Sequence, residues 1–184
     1  MDTAEQLQIN TLDDVIQARG WTHTWLPQIV GQIQERMARR LPPGAEFSLT
    51  ALQRKVLNKP TFWSDPRAAT PQNLIIQGAT SSGKTLLSEL SILDVLLSEK
   101  KAIVLVPLKA MVHERMVQFK HDIEDVNPVY TIYGSSSDYL ENDERLLRGD
   151  YRVAIMVYEK FFAMLSQSNS DLLTNCSLIV VDEL

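Results

Sequence analysis

The sequence predicts an α/β fold built on a doubly wound parallel sheet, preceded by a helical extension. Two observations lead to this prediction. From residue 47 onward, five short apolar runs alternate with segments of helical periodicity, a pattern typical of parallel strands joined by helices. Residues 1–46 instead contain two helix patterns and no strand pattern. We therefore expect an N-terminal helical extension (1–46) and an α/β domain (47–184).

The extension is predicted to contain two helices. Thr11 has the features of an N-cap, with acidic residues behind it, and Gly20 has those of a helix stop. Apolar residues then recur three and four positions apart from Leu26 to Leu41, until the Pro-Pro-Gly sequence at 42–44 ends the pattern. A further short helix is expected over residues 50–57.

The predicted strands are the five apolar runs of the α/β part. They cover residues 73–77, 102–106, 129–133, 153–157 and 178–181, and continuous apolar runs of this kind are typical of buried parallel strands. The later helices are expected over residues 85–98, 109–124, 137–148 and 160–167. Such sheets bind ligands at the carboxyl ends of their strands, so functional residues are expected at that edge.

Composition narrows the class of protein. A chain of 184 residues suffices for one α/β domain with an appendage but hardly for two domains. The net charge of −5 argues against a globally basic nucleic-acid-binding surface, although it leaves room for a local basic groove.

The single cysteine, Cys176, excludes an internal disulfide and suits a reducing compartment. No apolar run approaches the roughly 18 residues that cross a membrane. The N-terminus is unlike a signal peptide. We expect a cytoplasmic protein without a membrane partner.

Residues 78–85 carry the most specific motif of the chain. They read Gly-Ala-Thr-Ser-Ser-Gly-Lys-Thr and fit the phosphate-binding pattern G-x-x-x-x-G-K-[ST] at every fixed position. In this pattern backbone N–H groups cradle phosphates, the lysine reaches the β- and γ-phosphates, and the last hydroxyl ligates Mg²⁺. The sequence therefore predicts a nucleoside triphosphate site. Its candidate residues are Gly78, Ala79, Thr80, Ser81, Ser82, Gly83, Lys84 and Thr85.

An acid pair directly follows the last predicted strand. Asp182 is expected to hold Mg²⁺, as Thr85 does, and Glu183 to polarise the attacking water as a general base. Acid pairs are also common in surface turns, but a phosphate loop upstream favours the functional interpretation. Lys84, Asp182 and Glu183 are therefore the candidate catalytic residues.

Gln53 is a candidate of a different kind. Its side-chain amide offers both an acceptor and donors, which could pair with the edge of adenine. A glutamine on an exposed helix face would look the same, and spacing alone favours neither interpretation.

These motifs resemble the first RecA-like domain of superfamily 2 helicases, most closely the superkiller-type and archaeal repair-helicase branch. Residues 78–85 resemble motif I, and residues 182–184 resemble the start of motif II. Residues 107–110 (Pro-Leu-Lys-Ala) are similar to motif Ia, and residues 133–135 (Tyr-Gly-Ser) lie where motif Ib begins. Residues 159–161 (Glu-Lys-Phe) resemble the Ser-Glu-Lys-Phe segment of that branch. The resemblance covers the α/β part of the chain.

The resemblance implies a RecA-like P-loop NTPase that uses ATP and Mg²⁺. It further implies that ATP hydrolysis drives translocation on, or unwinding of, DNA or RNA, and that Gln53 reads adenine. Lys109, Gly134, Glu159 and Lys160 are implied to line the carboxyl edge of the sheet. There they would contact the phosphates of one nucleic-acid strand, contacts that carry no base information.

Two departures from the family pattern affect these expectations. Val157 stands where the branch usually has threonine, so one hydroxyl–phosphate bond would be missing. The sequence stops at Leu184, before the fourth residue of the acid box and before a second RecA-like domain that would supply arginines to the ATP site. We expect this chain alone to bind ATP–Mg²⁺ weakly, to hydrolyse it slowly and not to unwind a duplex.

Two other functions fit the same motifs. One is a double-stranded DNA translocase that serves a nuclease, remodelling or defence complex. The other is a nucleotide-gated interaction module whose N-terminal helices bind a partner. A small-molecule kinase fits less well, because such enzymes rarely carry an Asp-Glu pair after a later core strand.

Overall fold

The structure is a computed structural model that describes residues 8–63, 73–79, 82–137 and 139–182. The chain forms two compact units, Met1–Ser91 and Ile92–Leu184. The domain boundary expected after residue 46 follows a change of sequence pattern and stays a prediction.

The described part of the first unit is helical. The ends of its helices follow from capping residues. The Thr11 hydroxyl accepts a hydrogen bond from Asp14 N at 3.1 Å, and the Asp14 carboxylate accepts one from Thr11 N at 2.9 Å. Gly20, at φ 62°, ends that helix in the left-handed region. The helices are α1 (Leu12–Arg19), α2 (Leu26–Ala38), α3 (Ala51–Leu57) and the first turns of α4 (Lys84–Leu97), with a 3₁₀ turn at Pro60–Phe62.

An ion pair joins α2 to α4. Arg36 Nη2 lies 2.8 Å from Glu89 Oε2, and the Glu89 side chain is only 2% exposed. A carboxylate so far from water requires a charged or hydrogen-bonding partner. The predicted N-terminal extension is therefore attached to the helix that follows the phosphate loop.

The second unit is an α/β structure with a four-stranded parallel sheet, which confirms the predicted fold class. The strand order is β2-β3-β1-β4. Its strands are β1 (Lys101–Val106), β2 (Ile132–Ser135), β3 (Val153–Val157) and β4 (Cys176–Val181). Its helices are the end of α4, α5 (Lys109–Phe119), α6 (Asp143–Leu147) and α7 (Tyr158–Leu165), with a π turn at Lys120–Glu124 and a 3₁₀ turn at Leu140–Asn142. None of the described helices combines the length and apolar character needed to cross a bilayer.

The core of this unit lies on both sides of β3, whose five residues are all buried. Apolar side chains of β1 and β3 pack with those of α6 and α7, including Ile103, Leu146 and Phe161. Parallel strands covered on both faces are expected to be apolar throughout, as β3 is. The sheet thereby holds the ends of its strands in fixed positions.

The buried strand predicted at residues 73–77 is wrong. No strand forms there, and Leu74 and Ile75 are 45% and 85% exposed. An apolar run becomes a strand only when its backbone pairs with that of another strand. Residues 73–77 pair with none of the described strands, which pair only among themselves. At the sheet's own edge, β4 likewise departs from continuous burial, because Ile179 and Val181 are each 42% exposed.

Candidate functional site

The phosphate loop leads directly into α4, which begins at Lys84. Lys84 Nζ donates hydrogen bonds to the carbonyl oxygens of Gly78 at 2.9 Å and Ala79 at 3.0 Å. Gly83 has a φ of 84°, a conformation that favours glycine. The first N–H groups of a helix lack partners within that helix, so α4 provides donors and a positive dipole end beside the loop. Two predicted residues of the loop, Thr80 and Ser81, lie outside the described residues.

Helix α3 supports this loop from the side. Gln53 Nε2 donates to Gly83 O at 2.9 Å, and Thr50 Oγ1 donates to Ser82 O at 2.9 Å. Gln53 Oε1 also accepts from Thr50 N at 2.7 Å, and the Gln53 residue is 3% exposed. Gln53 thus closes the capping box of α3 and holds the loop at once. Its role toward adenine stays a prediction, and in this structure its amide oxygen and nitrogen both bind backbone groups.

The loop has features that suit a bound phosphate. Ser82 Oγ is buried and has no hydrogen-bond partner among the described residues. A Cβ added at Gly83 would lie 2.1 Å from Gln53 Nε2, and one at Gly78 would lie 2.8 Å from Leu52 Cδ2. Gly83, which also has a φ of 84°, is therefore required at its position, whereas at Gly78 only the ends of the Leu52 and Ser82 side chains would have to shift. A buried hydroxyl without a partner among the described residues, beside a glycine at positive φ, fits the nucleotide that the motif predicts.

Asp182 lies at the carboxyl end of β4, and its backbone is held on both sides. Asp182 N donates to Leu105 O at 2.9 Å, and Asp182 O accepts from the Tyr158 hydroxyl at 3.0 Å. The side chain accepts a hydrogen bond at Oδ2 from Arg115 Nη2 at 2.8 Å. The predicted Mg²⁺ ligand is thus part of an ion pair with α5. Glu183, the predicted general base, lies outside the described residues.

A cavity of about 620 Å³ opens at the same carboxyl edge of the sheet. It contains three of the four residues predicted to contact nucleic acid, Lys109, Glu159 and Lys160. Gly134 does not line it and is instead buried in β2, where an added Cβ would lie 2.9 Å from Met116 Sδ. The remaining lining residues are Pro107, Leu108, Ser136, Ser137, Leu140, Val157 and Ala163.

The two lysines of this cavity differ in how free their charges are to bind a ligand. Lys109 Nζ is exposed and donates to Ser137 Oγ at 2.8 Å. Lys160 Nζ forms an ion pair with Asp143, whose second oxygen accepts from Ser135 Oγ at 2.6 Å. The charge of Lys160 is therefore largely offset, and Lys109 is the more available cation of the two.

Helix α7 begins at this cavity without a side-chain cap. Val157 is its N-cap residue and makes no capping hydrogen bond. Threonine, the residue that the family pattern usually has there, would supply one. Glu159 lies in the first turn, where a carboxylate stabilises the positive end of the helix dipole.

Two functional neighbours were missed by the sequence analysis. Arg115 contacts Asp182, and Asp143 contacts Lys160, although each partner is distant along the chain. Both missed residues lie in helices as ordinary charged side chains. No motif or spacing pointed to either of them.

Comparison with known proteins gives consistent matches. The family model described as DEAD/DEAH box helicase matches residues 51–184. The ATP-dependent DNA helicase Hel308 of Pyrococcus horikoshii is 39% identical over 114 residues, which cover 61% of this chain and 15% of that protein. Hel308 of Pyrococcus abyssi is 36% identical over the same shares. Hel308 of Methanocaldococcus jannaschii is 34% identical over 61% of this chain and 10% of that protein. The chain thus spans only a small part of the length of these relatives.

Proposed function

Because the chain belongs to the DEAD/DEAH box helicase family, we propose that the whole protein is an ATP-dependent nucleic-acid helicase. The resemblance to superfamily 2 helicases is thereby confirmed. In this proposal the chain supplies the ATP-binding part. The observation that carries it is the phosphate loop, in which Lys84 is held on the loop's own carbonyls and Ser82 Oγ has no partner among the described residues.

Each predicted ATP-site residue has a proposed task. Lys84 would hold the β- and γ-phosphates, and Gln53 the adenine edge. Thr85 and Asp182 would hold Mg²⁺, which neutralises phosphate charge when bound. Glu183 would take a proton from the attacking water. The described residues contain no cluster of three or more His, Cys, Asp or Glu side chains that could hold a metal ion. That suits Mg²⁺, which is commonly bound by one or two carboxylates together with substrate phosphates.

We propose that the cavity at the carboxyl edge of the sheet receives the backbone of one DNA or RNA strand. Lys109 supports this, since it places an exposed ammonium group at the cavity. Lys160 would contribute less while Asp143 neutralises it. Glu159 is proposed as a neighbouring contact, and because Gly134 itself is buried outside the cavity, the contact proposed there is made by the backbone near it. Because the contacts are to phosphate, binding would be insensitive to sequence and sensitive to salt.

The partner required for catalysis is proposed to be a second RecA-like domain of the same protein. In ATP-hydrolysing enzymes of this kind an arginine from outside the loop stabilises the transferred phosphoryl group, a contribution of roughly 10³–10⁵ in rate. Without it, this chain would bind ATP–Mg²⁺ weakly and turn it over slowly. The relatives are named as DNA helicases, which supports DNA as the nucleic acid. We also propose that the protein is cytoplasmic.

The proposal is tested by the nucleic acid that stimulates ATP hydrolysis. The full-length protein is expected to hydrolyse ATP faster when single-stranded DNA or RNA is added, and to separate a duplex with a single-stranded tail. Stimulation by blunt duplex DNA alone would show a double-stranded DNA translocase instead. No stimulation by either would favour the nucleotide-gated interaction module.

Lys109→Ala is expected to weaken the binding of single-stranded DNA at every sequence tested. One phosphate contact fewer should reduce the slope of log affinity against log salt by about 0.7 to 1. Fluorescence anisotropy at several salt concentrations measures both quantities. The matched control is Lys100→Ala, an exposed lysine outside the cavity, which should leave the slope unchanged. An equal slope for both variants would place the strand elsewhere.

A further inference from the structure

Arg115 has no part in the proposed function, yet it binds the residue proposed to hold Mg²⁺. We propose that Arg115 is a positioning residue that acts through Asp182: it holds one carboxylate oxygen as a counter-ion and thereby raises the Mg²⁺ concentration that ATP binding requires. This inference rests on the proposed function, because it takes Asp182 to be a Mg²⁺ ligand.

Different residues hold the backbone and the side chain of Asp182. Leu105 and Tyr158 hold the backbone N and O of Asp182, so the position of the main chain does not depend on Arg115. Arg115 instead holds the carboxylate, with Nη2 at 2.8 Å from Oδ2. Its own Nη1 lies 3.5 Å from Gln118 Oε1, one turn further along α5. What Arg115 controls is therefore the orientation and the charge of the carboxylate.

The ion pair is poorly solvated. The side chains of Arg115 and Asp182 are 14% and 22% exposed. Charges interact more strongly where water is excluded, so the guanidinium offsets much of the charge that would attract a divalent cation. Only a movement of Arg115 away from Asp182 can relieve this effect. Mg²⁺ must share Asp182 with Arg115 or displace it.

These contacts decide the direction of the effect. Replacing a residue that supports a metal ligand typically lowers metal affinity by roughly 10–100-fold, because such groups are commonly carboxylates or backbone carbonyls that strengthen the ligand. A neutral or acidic supporting group strengthens a cation site, but a cationic one opposes it. Removing the charge of Arg115 should therefore strengthen Mg²⁺ binding at Asp182, even though it leaves the metal-free carboxylate without its counter-ion and lowers the stability of the metal-free protein.

The experiment measures the binding of a fluorescent ATP analogue to the full-length protein as Mg²⁺ is added. Arg115→Met should lower the half-saturating Mg²⁺ concentration by about 10-fold, while Arg115→Lys, which keeps the charge, should stay near wild type. Asp182→Asn should raise it, and adding Arg115→Met to Asp182→Asn should change nothing further. Binding of the analogue in EDTA should be equal in all variants, and a purely structural role of Arg115 would not shift the Mg²⁺ midpoint alone.

A Mg²⁺ midpoint that is unchanged or higher in Arg115→Met would overturn the inference. If that variant does not fold, Arg115→Gln removes the charge but retains a hydrogen-bond donor, and the same criterion applies to it. Failure of the proposed function looks different. In that case the wild-type protein does not bind the analogue, or Asp182→Asn leaves the midpoint where it was, and this inference falls with it.

Discussion

Replacing Lys84 with alanine is expected to lower ATP turnover by the full-length protein by about 10²–10³-fold or more, the usual cost of removing a donor that stabilises developing charge. Lys84 Nζ donates hydrogen bonds to the carbonyls of Gly78 and Ala79 within the loop. From there it can transfer to the phosphates without a large movement of the chain. A steady-state ATPase assay, with melting temperature as the check on folding, measures the effect.

Two variants make the result specific to this lysine. Lys55→Ala removes an exposed lysine of α3 and should leave turnover unchanged. Lys84→Arg keeps the charge, but its planar guanidinium is not equivalent to a compact ammonium group, so it should recover little activity. Turnover retained by Lys84→Ala would overturn the proposed ATPase.

In the full-length protein, Gly83→Ala is expected to abolish nucleotide binding by distorting the phosphate loop. Alanine at a φ of 84° is strained, by about 1–3 kcal/mol for a non-glycine residue in such a region. Its Cβ would also lie 2.1 Å from Gln53 Nε2, so Gln53 would have to leave its place. Isothermal titration with ATP and Mg²⁺ measures the loss. Binding as tight as in wild type would contradict the loop geometry described above.

Gly31→Ala is the matched control for this substitution. Gly31 lies inside α2, and a Cβ there would meet nothing within 4 Å. Alanine in place of glycine within a helix should raise stability by about 0.5–1 kcal/mol and leave nucleotide binding unchanged. Adding Gln53→Ala to Gly83→Ala removes the steric conflict but not the backbone strain. It should therefore restore binding only in part.

Local signals account for the elements that were predicted well. The strand expected over residues 153–157 forms over those residues, because all five are apolar and lie in the middle of the sheet. The helix expected after Thr11 begins there because a capping box depends only on residues three apart. The phosphate loop is also a local pattern, and Gly83 is needed there because its own backbone has a positive φ.

Features that depend on partners were predicted less well. The strand expected over residues 129–133 is β2, which lies at Ile132–Ser135. It includes Gly134, which permits close packing against Val112 and Met116 of α5. Glycine is depleted in strands, so sequence propensity did not predict a strand at residue 134. The strand expected at residues 73–77 failed for a related reason, since an apolar run does not reveal whether a neighbour is available to pair with it.

The helix expected over residues 137–148 is in fact a 3₁₀ turn and the short α6, and the helix expected over 109–124 ends as a π turn. Ion pairs were still harder to foresee. Arg115 and Asp182 lie far apart along the chain and meet only in the folded structure, so no spacing in the sequence contains their contact. The nucleotide-binding residues were therefore predictable as motifs, while the side chains that support them were not.

The double use of Gln53 also limits how this protein can change by mutation. Its side-chain amide accepts a hydrogen bond from Thr50 N at the start of α3 and donates one to Gly83 O in the phosphate loop. A substitution at residue 53 would alter helix and loop together, and a compensating change at either one alone would leave the other unrepaired. In related or redesigned proteins, we therefore expect Thr50, Gln53 and Gly83 to be kept together or replaced together.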